Sequence, residues 1–258
     1  MKRILMITSL CVIAALPAFA HGAPQKSDTK APATKADAMP SIDQILDKYV
    51  QALGGKAAIE KVTSTVLTGT FELPAMGMSG PLEIYAKAPN RNATIINIAG
   101  FGVVQFGFNG TIAWSQDPQT GLREMTGAEL ADTKRDAEFY KEIKLKQLYP
   151  KMTLTGKEKV GEHDVYVIEA TPADGKPEKM YFDTQTGLLL RVDNDRESPQ
   201  GSAHVETYFE DYKDTGGGVK GPFTIKIVRP DISFTLKTTE VKQNVPIDDA
   251  KFNKPAAQ

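Results

Sequence analysis

Histidine and cysteine, which often carry catalysis, are scarce in this chain, and none of these residues stands in a recognisable catalytic motif. The 258 residues include three histidines and one cysteine. No H-E-x-x-H zinc motif, G-x-S-x-G nucleophile elbow or phosphate-binding glycine loop occurs. Asp193, Asp195 and Glu197 alternate after a strand, but they lack the glycine and the distal glutamate of a calcium loop. The sequence therefore predicts a protein that is not an enzyme and that carries no metal or cofactor.

One short segment could still place an acid beside a base. His204, Glu206 and Tyr208 occupy alternate positions, so in a strand their side chains point to the same face. On an antiparallel sheet with one solvated face, such polar alternation is also the ordinary pattern of the exposed side. We favour the solvent-exposed interpretation and keep a hydrolase acting through His204 and Glu206 as the less favoured hypothesis.

The stretch from Lys179 to Asp193 is the clearest structural element, and it has the pattern of a β-hairpin. Asp183 can accept backbone N–H bonds in the turn, and Gly187 can adopt a positive φ. A two-residue period places Met180 and Phe182 on one face of the strand before the turn, and it places Leu188, Leu190 and Val192 together on one face of the strand after it. The same period predicts that Leu189 lies on the opposite face.

An amphipathic helix precedes the strands. Ser41 and Gln44 have the spacing of a capping box, and Gly54-Gly55 provides a helix end. The apolar stripe of this helix consists of Ile42, Ile45, Leu46, Tyr49, Val50 and Leu53. A helix with such a stripe needs an apolar surface, so we expect it to pack on the sheet that follows.

Most of the remaining chain has the pattern of short antiparallel strands, about eleven or twelve in number. Asn109-Gly110 predicts a tight hairpin between two neighbouring strands. Thr126 and Glu129 repeat the capping-box spacing and predict one charged helix that runs towards Tyr149 and interrupts the strands once. Because open sheets of this size seldom stay flat, the predicted fold is mainly β (α+β): a long antiparallel meander curled into a half-open barrel, with helices covering the concave side.

The N-terminal residues have the features of an export signal. Met1 to Ala20 begins with basic residues, continues with an apolar run and ends in a small-x-small site, which predicts a cleaved signal peptide at residues 1–20. Residues 21–40, rich in Ala, Pro, Lys, Thr and Asp, predict a disordered linker. We expect residues 41–258 to form one domain in the periplasm.

The composition of the exported chain limits its partners. Cleavage of the signal peptide removes the one cysteine, so the domain must be stable without disulfides. It also lowers the count of basic residues from 31 to 29, against 32 acidic residues. This balance gives no support for nucleic acid or an anionic membrane as the partner.

Apolar side chains are concentrated near one end of the early strands, where polar residues would be normal. The residues in or beside these turns are Leu73, Met76, Met78, Phe101, Val103, Val104, Phe106 and Phe108. Further candidates on the strands are Leu67, Phe71, Leu82 and Ile84. Together they could line a pocket for an acyl chain, with Met76 and Met78 at its mouth. The alternative is that they complete the core beneath the helices.

The order of these parts resembles a known family. A signal peptide, a helix ending in Gly-Gly, a meander and a mid-chain helix are followed by the hairpin Tyr181 to Arg191, which carries an aromatic-Asp-x-x-Thr-Gly-Leu motif. In this layout the chain from Ser41 to Phe252 is similar to the LolA/LolB-like superfamily, in particular to the outer-membrane lipoprotein-sorting proteins of Gram-negative envelopes. The hairpin is the most specific motif of the resemblance.

The resemblance implies an incomplete barrel closed by helices, whose apolar concavity receives the acyl chains of lipoproteins in the periplasm. It also implies a carrier or receptor without a bound cofactor, in transient contact with an envelope membrane. Arg91, at the start of an early strand, is the candidate for the arginine that locks the lid in this family. The long linker and the charged mid-chain helix depart from the family pattern. The alternative hypothesis is a non-catalytic envelope scaffold whose concavity is filled by its own side chains.

Overall fold

The structure is a computed structural model that describes residues 39–198 and 201–256. The predicted signal peptide and almost all of the predicted linker lie outside these residues. All elements below belong to the unit that begins at Pro40. Among the described residues, no helix is both long enough and apolar enough to cross a bilayer.

Four α-helices are present in the described chain. They are α1 (Ile42–Ala52), α2 (Lys56–Ile59), α3 (Gly127–Asp136) and α4 (Leu145–Leu148). The predicted capping box of α1 is confirmed, because the Ser41 hydroxyl accepts the Gln44 N–H at 3.2 Å and the Gln44 side chain accepts the Ser41 N–H at 2.8 Å. Gly54 follows the helix with φ of +114°. A Cβ there would lie 2.0 Å from the Gly218 carbonyl oxygen, so this close approach requires glycine.

Thirteen strands form one antiparallel sheet among the described residues. They are β1 (Ser64–Leu73), β2 (Met78–Lys87), β3 (Arg91–Ile98), β4 (Gly102–Phe108), β5 (Ala113–Asp117), β6 (Gly121–Glu124), β7 (Lys151–Val160), β8 (His163–Thr171), β9 (Glu178–Asp183), β10 (Leu189–Ser198), β11 (Gly201–Gly216), β12 (Val219–Val228) and β13 (Ser233–Gln243). The strand that the sequence did not predict is β6, whose four residues are too few to show a period.

The strand order is β6-β5-β4-β3-β2-β1-β13-β12-β11-β10-β9-β8-β7. Two meanders, β1 to β6 and β7 to β13, are therefore joined where the first and last strands pair. The strands β6 and β7 are the two edges, so the sheet does not close. The predicted meander, curled into a half-open barrel with helices on its concave side, is confirmed.

The predicted continuous helix between Thr126 and Tyr149 is wrong. The segment contains α3, a short 3-10 turn at Lys141–Ile143 and α4. Thr126 makes no side-chain capping bond, and the Glu129 carboxylate, which would accept the Thr126 N–H in a capping box, accepts two bonds from Arg123 instead, at 2.6 and 2.7 Å. A bidentate Arg–carboxylate pair is stronger than a neutral backbone bond.

The Asn109-Gly110 turn is longer than a two-residue hairpin. Phe108 pairs with Ala113, so four residues connect β4 to β5. The Asn109 side-chain oxygen accepts the N–H groups of Thr111 and Ile112 at 2.9 and 2.8 Å, and these bonds stabilise the wider loop. The prediction that the two strands are antiparallel neighbours is confirmed.

The register shows that the two meanders share one concave face. Met180 pairs with Val192, and the same row continues across the sheet through Thr207, Ile227 and Phe234. Partners in an antiparallel ladder point to the same face. Leu236, two residues after Phe234 and therefore on the same face, pairs with Phe71 of β1, so side chains of both meanders face the same hollow.

The β9–β10 hairpin contains a bulge that the sequence period does not show. Leu189 pairs with Phe182, whereas Arg191 pairs with Tyr181, so the register shifts between them. Leu189 consequently packs in the core beneath the helices with Phe182, and Leu190 packs with Tyr181 on the other face. The predicted faces of these two leucines are wrong because a bulge adds one residue to one strand.

Candidate functional site

Helices cover the part of the concave face formed by β7 to β10, which we call the covered half. Ile45, Leu46 and Tyr49 of α1 are buried against strand residues that include Met180 and Phe182. The rings of Tyr49 and Phe182 meet edge to face, with centroids 5.3 Å apart. Burial, followed by the nearby Tyr212 and Glu142, raises the pKa of the Tyr49 phenol, so its hydroxyl is neutral.

The hairpin motif that carries the family resemblance holds α1 in place. The Lys48 ammonium donates to the carbonyl oxygen of Thr184 at 2.8 Å. Gly187 has φ of +79°, and a Cβ there would lie 2.7 Å from Cγ of Lys48. The Asp183 carboxylate accepts the N–H groups of Gln185 and Thr186 at 2.7 and 2.6 Å. The motif thus builds a tight turn against which α1 packs.

The other part of the concave face forms a second apolar cluster, on β1 to β4 and β13. Its buried floor consists of Phe71, Leu73, Leu82, Ile96 and Ile98. Its half-buried members, which we call the open apolar surface, are Leu67, Met78, Ile84, Phe101, Val104, Ile232, Phe234 and Leu236. Among the described residues, no side chain of an α-helix belongs to this cluster. The open apolar surface is therefore formed by the strands and their turns alone.

The predicted pocket residues divide into three groups in the structure. Leu67, Met78 and Ile84 lie on the open apolar surface. Met76 and Phe106 are 59% and 38% exposed. The third group is buried: Phe71, Leu73 and Leu82 lie in the floor of the open apolar surface, whereas Phe108 lies in a separate cluster beside Leu130 of α3. Buried floor residues shape such a surface, whereas the half-buried and exposed side chains can touch a ligand.

Three residues of the open apolar surface were not predicted from the sequence. Ile232, Phe234 and Leu236 belong to β13 and the turn before it, close to the C-terminal end of the chain. They meet the early strands because Leu236 pairs with Phe71. The alternation of these residues predicted a strand in the sequence. Only the pairing of β1 with β13 places them beside the apolar residues of the early strands.

Arg91 makes its ion pair with the C-terminal segment of the described chain. Its guanidinium pairs with the Asp249 carboxylate at 2.6 Å, and the Lys87 ammonium reaches the same group at 2.7 Å. Hydrogen bonds from these two side chains lower the pKa of Asp249 to about 2. Asp249 belongs to a C-terminal segment anchored by Phe252, which is fully buried. Arg91 therefore fastens this segment to the sheet.

Charged side chains join α3 to the sheet. Arg135, which is buried, bonds Asp132 at 2.5 Å and Glu178 of β9 at 2.7 Å. Arg196 of β10 pairs with Asp136 at 3.1 Å. Burial favours a higher pKa for the Asp136 carboxyl, but Arg196 and other nearby cations hold this pKa below its usual value.

A cleft of about 710 Å³ lies beside this network of charged side chains. It is lined mainly by charged and polar residues, so it does not suit a hydrocarbon chain.

The acid and base of the hydrolase hypothesis have separate partners. Glu206 accepts bonds from Arg191 and from the Tyr208 hydroxyl, both at 2.7 Å. The His204 ring lies 3.1 Å from Asp195 and is exposed. Neither contact joins His204 to Glu206, so the geometry does not assemble an acid–base pair from these two residues.

Solved structures share this fold. A DUF1329 family protein from Desulfovibrio piger has a TM-score of 0.55 at 15% identity, covering 85% of this chain and 100% of that one. A putative outer membrane lipoprotein-sorting protein domain from Vibrio parahaemolyticus has a TM-score of 0.56 at 14% sequence identity, and the match covers 82% of this chain and 97% of that one. A LolA superfamily protein from Nitrosomonas europaea has a TM-score of 0.54 at 14% sequence identity, and the match covers 84% of this chain and 99% of that one.

Sequence comparison adds no closer relative. Neither the known protein-family models nor the curated protein sequences match this chain. At 14% to 15% identity, the structural likeness establishes the architecture and leaves the ligand open. The chain has a LolA-like fold, as the hairpin motif predicted.

Proposed function

We propose that this protein binds the acyl chains of a lipid or of a lipidated protein on the open apolar surface and carries them in the periplasm of a Gram-negative envelope, without catalysis. The observation that carries the proposal is the contrast within the concave face. Helices bury the covered half, whereas eight half-buried apolar side chains remain on the other part. Contiguous apolar surface of this kind marks a binding site.

The size and chemistry of the surface suit a hydrocarbon chain. It spans five neighbouring strands, β4 to β1 and β13, which at a spacing of ~4.8 Å gives a width of about 19 Å. Each methylene moved from water to an apolar surface contributes roughly 0.8 kcal/mol. Several such groups offset the cost of immobilising the ligand. Met78 and Phe101 supply adaptable and aromatic contacts within this surface.

The chain's own N-terminus supports the compartment. Met1 to Ala20 has the pattern of a cleavable signal peptide, and the LolA-like neighbours include a protein named for outer-membrane lipoprotein sorting. The scaffold alternative requires a concavity filled by the protein itself. The scaffold alternative accounts for the covered half, which the protein's own side chains fill. It does not explain why the apolar ring of Phe106 is exposed on the other part of the concave face.

Adjacent valines on β4 provide a matched test. Val104 belongs to the open apolar surface, while Val103 points to the opposite face and is 42% exposed. We expect Val104→Asp to weaken binding of a fluorescent fatty acid by at least about tenfold, because a charge in an apolar site must be desolvated. Val103→Asp should bind as the wild type does, and thermal melting should show both variants folded.

Two outcomes would overturn the proposal. If the wild-type protein takes up no acyl probe, the concavity is filled and the scaffold alternative replaces the carrier. If Val103→Asp and Val104→Asp weaken binding equally, the probe occupies some other part of the protein.

A further inference from the structure

The cleft of about 710 Å³ beside α3 has the size of a ligand site. Such sites have volumes of roughly 300 to 1,000 Å³. Residues of β6, of α3, of the segment before β9 and of the end of β10 line the cleft, and we call it the charged cleft. An acyl chain does not suit its polar lining, so the function proposed above leaves this volume unused.

The register of the sheet links the charged cleft to the open apolar surface. Ile84 of that surface pairs with Thr94, and Thr94 pairs with Phe106. The same row continues from Phe106 to Ser115 of β5 and from Ser115 to Arg123 of β6, which lines the cleft. Register partners point to the same face, so Arg123 lies two strands, or about 10 Å, from Phe106 on the concave face. A ligand with its acyl chain on the open apolar surface can therefore place its polar head in the charged cleft.

Carboxylates outnumber cations in the charged cleft. Among the described residues that line it, the cations are Arg123, Arg135 and Lys176, and the carboxylates are Glu124, Glu129, Asp132, Glu178, Asp195 and Glu197. Arg196 and Lys254 pair with two of these carboxylates from outside the lining, and the carboxylates still remain in excess. The potential in the cleft therefore favours a ligand group with a positive charge.

One of these carboxylates is accessible to a ligand. Glu197 pairs with Lys176 at 2.6 Å, and the two side chains are 36% and 54% exposed. An ion pair this exposed contributes little to stability. A ligand ammonium can therefore join or replace Lys176 at the Glu197 carboxylate at little cost to the fold.

The cleft also holds donors without acceptors. Arg135 is 8% exposed, and its Nε and Nη1 have no hydrogen-bond partner among the described residues. The same is true of Nε of Arg123 and of the hydroxyl of Ser115, on the row that leads to the cleft. Buried polar groups nearly always have a partner, so donors of this kind favour a ligand that brings acceptor oxygens.

We propose that the charged cleft binds the polar head of the amphiphile whose acyl chain lies on the open apolar surface, and that it selects a head with an ammonium group and acceptor oxygens. This inference rests on the proposed function and adds a ligand preference to it. Phosphoethanolamine has this chemistry, and so do the first residues of an acylated peptide that contains lysine. The order of groups in such a ligand, hydrocarbon, then oxygens, then ammonium, matches the order of apolar strands, arginines and carboxylates in the protein.

Two lysophospholipids with the same acyl chain test this preference. We expect the wild-type protein to bind lysophosphatidylethanolamine at least about fivefold more tightly than lysophosphatidylglycerol, because only the first has an ammonium to pair with the carboxylates. Glu197→Lys should bring the two affinities together, since it reverses a charge in the cleft. The matched control is Glu210→Lys, which changes an exposed acid of β11 outside the lining and should keep the wild-type ratio. Calorimetry measures the affinities, and thermal melting shows whether both variants are folded.

A second pair of probes separates the two sources of the head group. One is a myristoylated peptide with lysines next to the acyl chain, and the other has glutamates in their place. A preference for the lysine peptide alone would assign the cleft to a lipidated protein, and a preference for lysophosphatidylethanolamine alone would assign it to a phospholipid; both outcomes support the proposal. The preference should weaken as salt is raised, because the charges are partly exposed. A preference that does not change with salt would contradict an ionic contact.

Failure of this inference differs from failure of the proposed function. Equal affinity for the two members of each pair, with binding that Val104→Asp still weakens, would remove the selective head site and leave the acyl site. An equal loss of preference in Glu197→Lys and Glu210→Lys would show that the selection lies outside the cleft, and it would also overturn the inference. If the wild-type protein binds none of the four probes, the proposed function is overturned together with this inference.

Discussion

The covered half and the open apolar surface belong to the same face of one sheet, yet they differ in what lies over them. Phe182 in the covered half has no exposed area and packs against Tyr49 of α1. Phe106, on the concave side of β4, is 38% exposed. The helices therefore stabilise one half of the hollow and leave the other half available.

The dimensions of the helices explain why only one half is covered. The 11 residues of α1 rise about 1.5 Å each, so the helix is about 16 Å long. At ~4.8 Å between strands, it spans only three or four of them. The long connection between β6 and β7, which contains α3 and α4, contacts the sheet through charged pairs such as Arg135 with Glu178 of β9. Among the described residues, the apolar contact of α3 with β4 is made at Phe108, beside Leu130, and no α-helix side chain joins the open apolar surface on β1 to β3.

The largest expected effect separates the two halves by stability. Phe182→Ala should lower the free energy of unfolding by about 3 to 5 kcal/mol, because it creates a cavity beneath α1. Phe106→Ala should cost only about 1 to 2 kcal/mol, since 38% of that residue already meets water. Denaturant titration measures both values. Equal losses would show that the two halves are packed alike.

A smaller effect, of about 1 to 2 kcal/mol, is expected for Asp183→Asn in the turn that seats α1. Burial raises the Asp183 pKa, but the N–H groups of Thr186 and Gln185, together with His163, outweigh it and hold the pKa below its ordinary 3.8. The ionised carboxylate therefore stabilises the fold above about pH 4, and this contribution is lost as the pH falls through the native pKa.

The pH dependence of unfolding tests this assignment. The wild-type protein should lose stability between about pH 5 and pH 2, and Asp183→Asn should lose less over the same interval. Identical slopes for the two proteins would show that Asp183 does not carry this part of the acid sensitivity.

The smallest effects are expected on the outer face, which belongs to neither half of the hollow. His204→Ala should change stability by no more than ~0.5 kcal/mol, because the ring is exposed. Glu206→Ala should cost somewhat more, since Arg191 and Tyr208 both lose a bond. Neither should alter fatty-acid binding. Loss of a measured activity with an intact fold would instead revive the hydrolase hypothesis.

Local patterns predicted the elements whose partners are near in sequence. The capping box of Ser41 and Gln44 formed because both groups lie within one helical turn. The turn after Asp183 formed because its carboxylate bonds N–H groups two and three residues ahead. The capping box predicted at Thr126 did not form, and its Glu129 carboxylate pairs with Arg123 of the preceding strand β6.

The sequence by itself determined the alternation of the strands, the tight turns, the first helix and the motif that indicated the LolA-like fold. Only the tertiary structure decided which half of the hollow stays open. That outcome depends on the pairing of β1 with β13, on the bulge at Leu190 and on where α1 docks. Each of these joins residues far apart in the chain or shifts a register, and a local period carries no information about either.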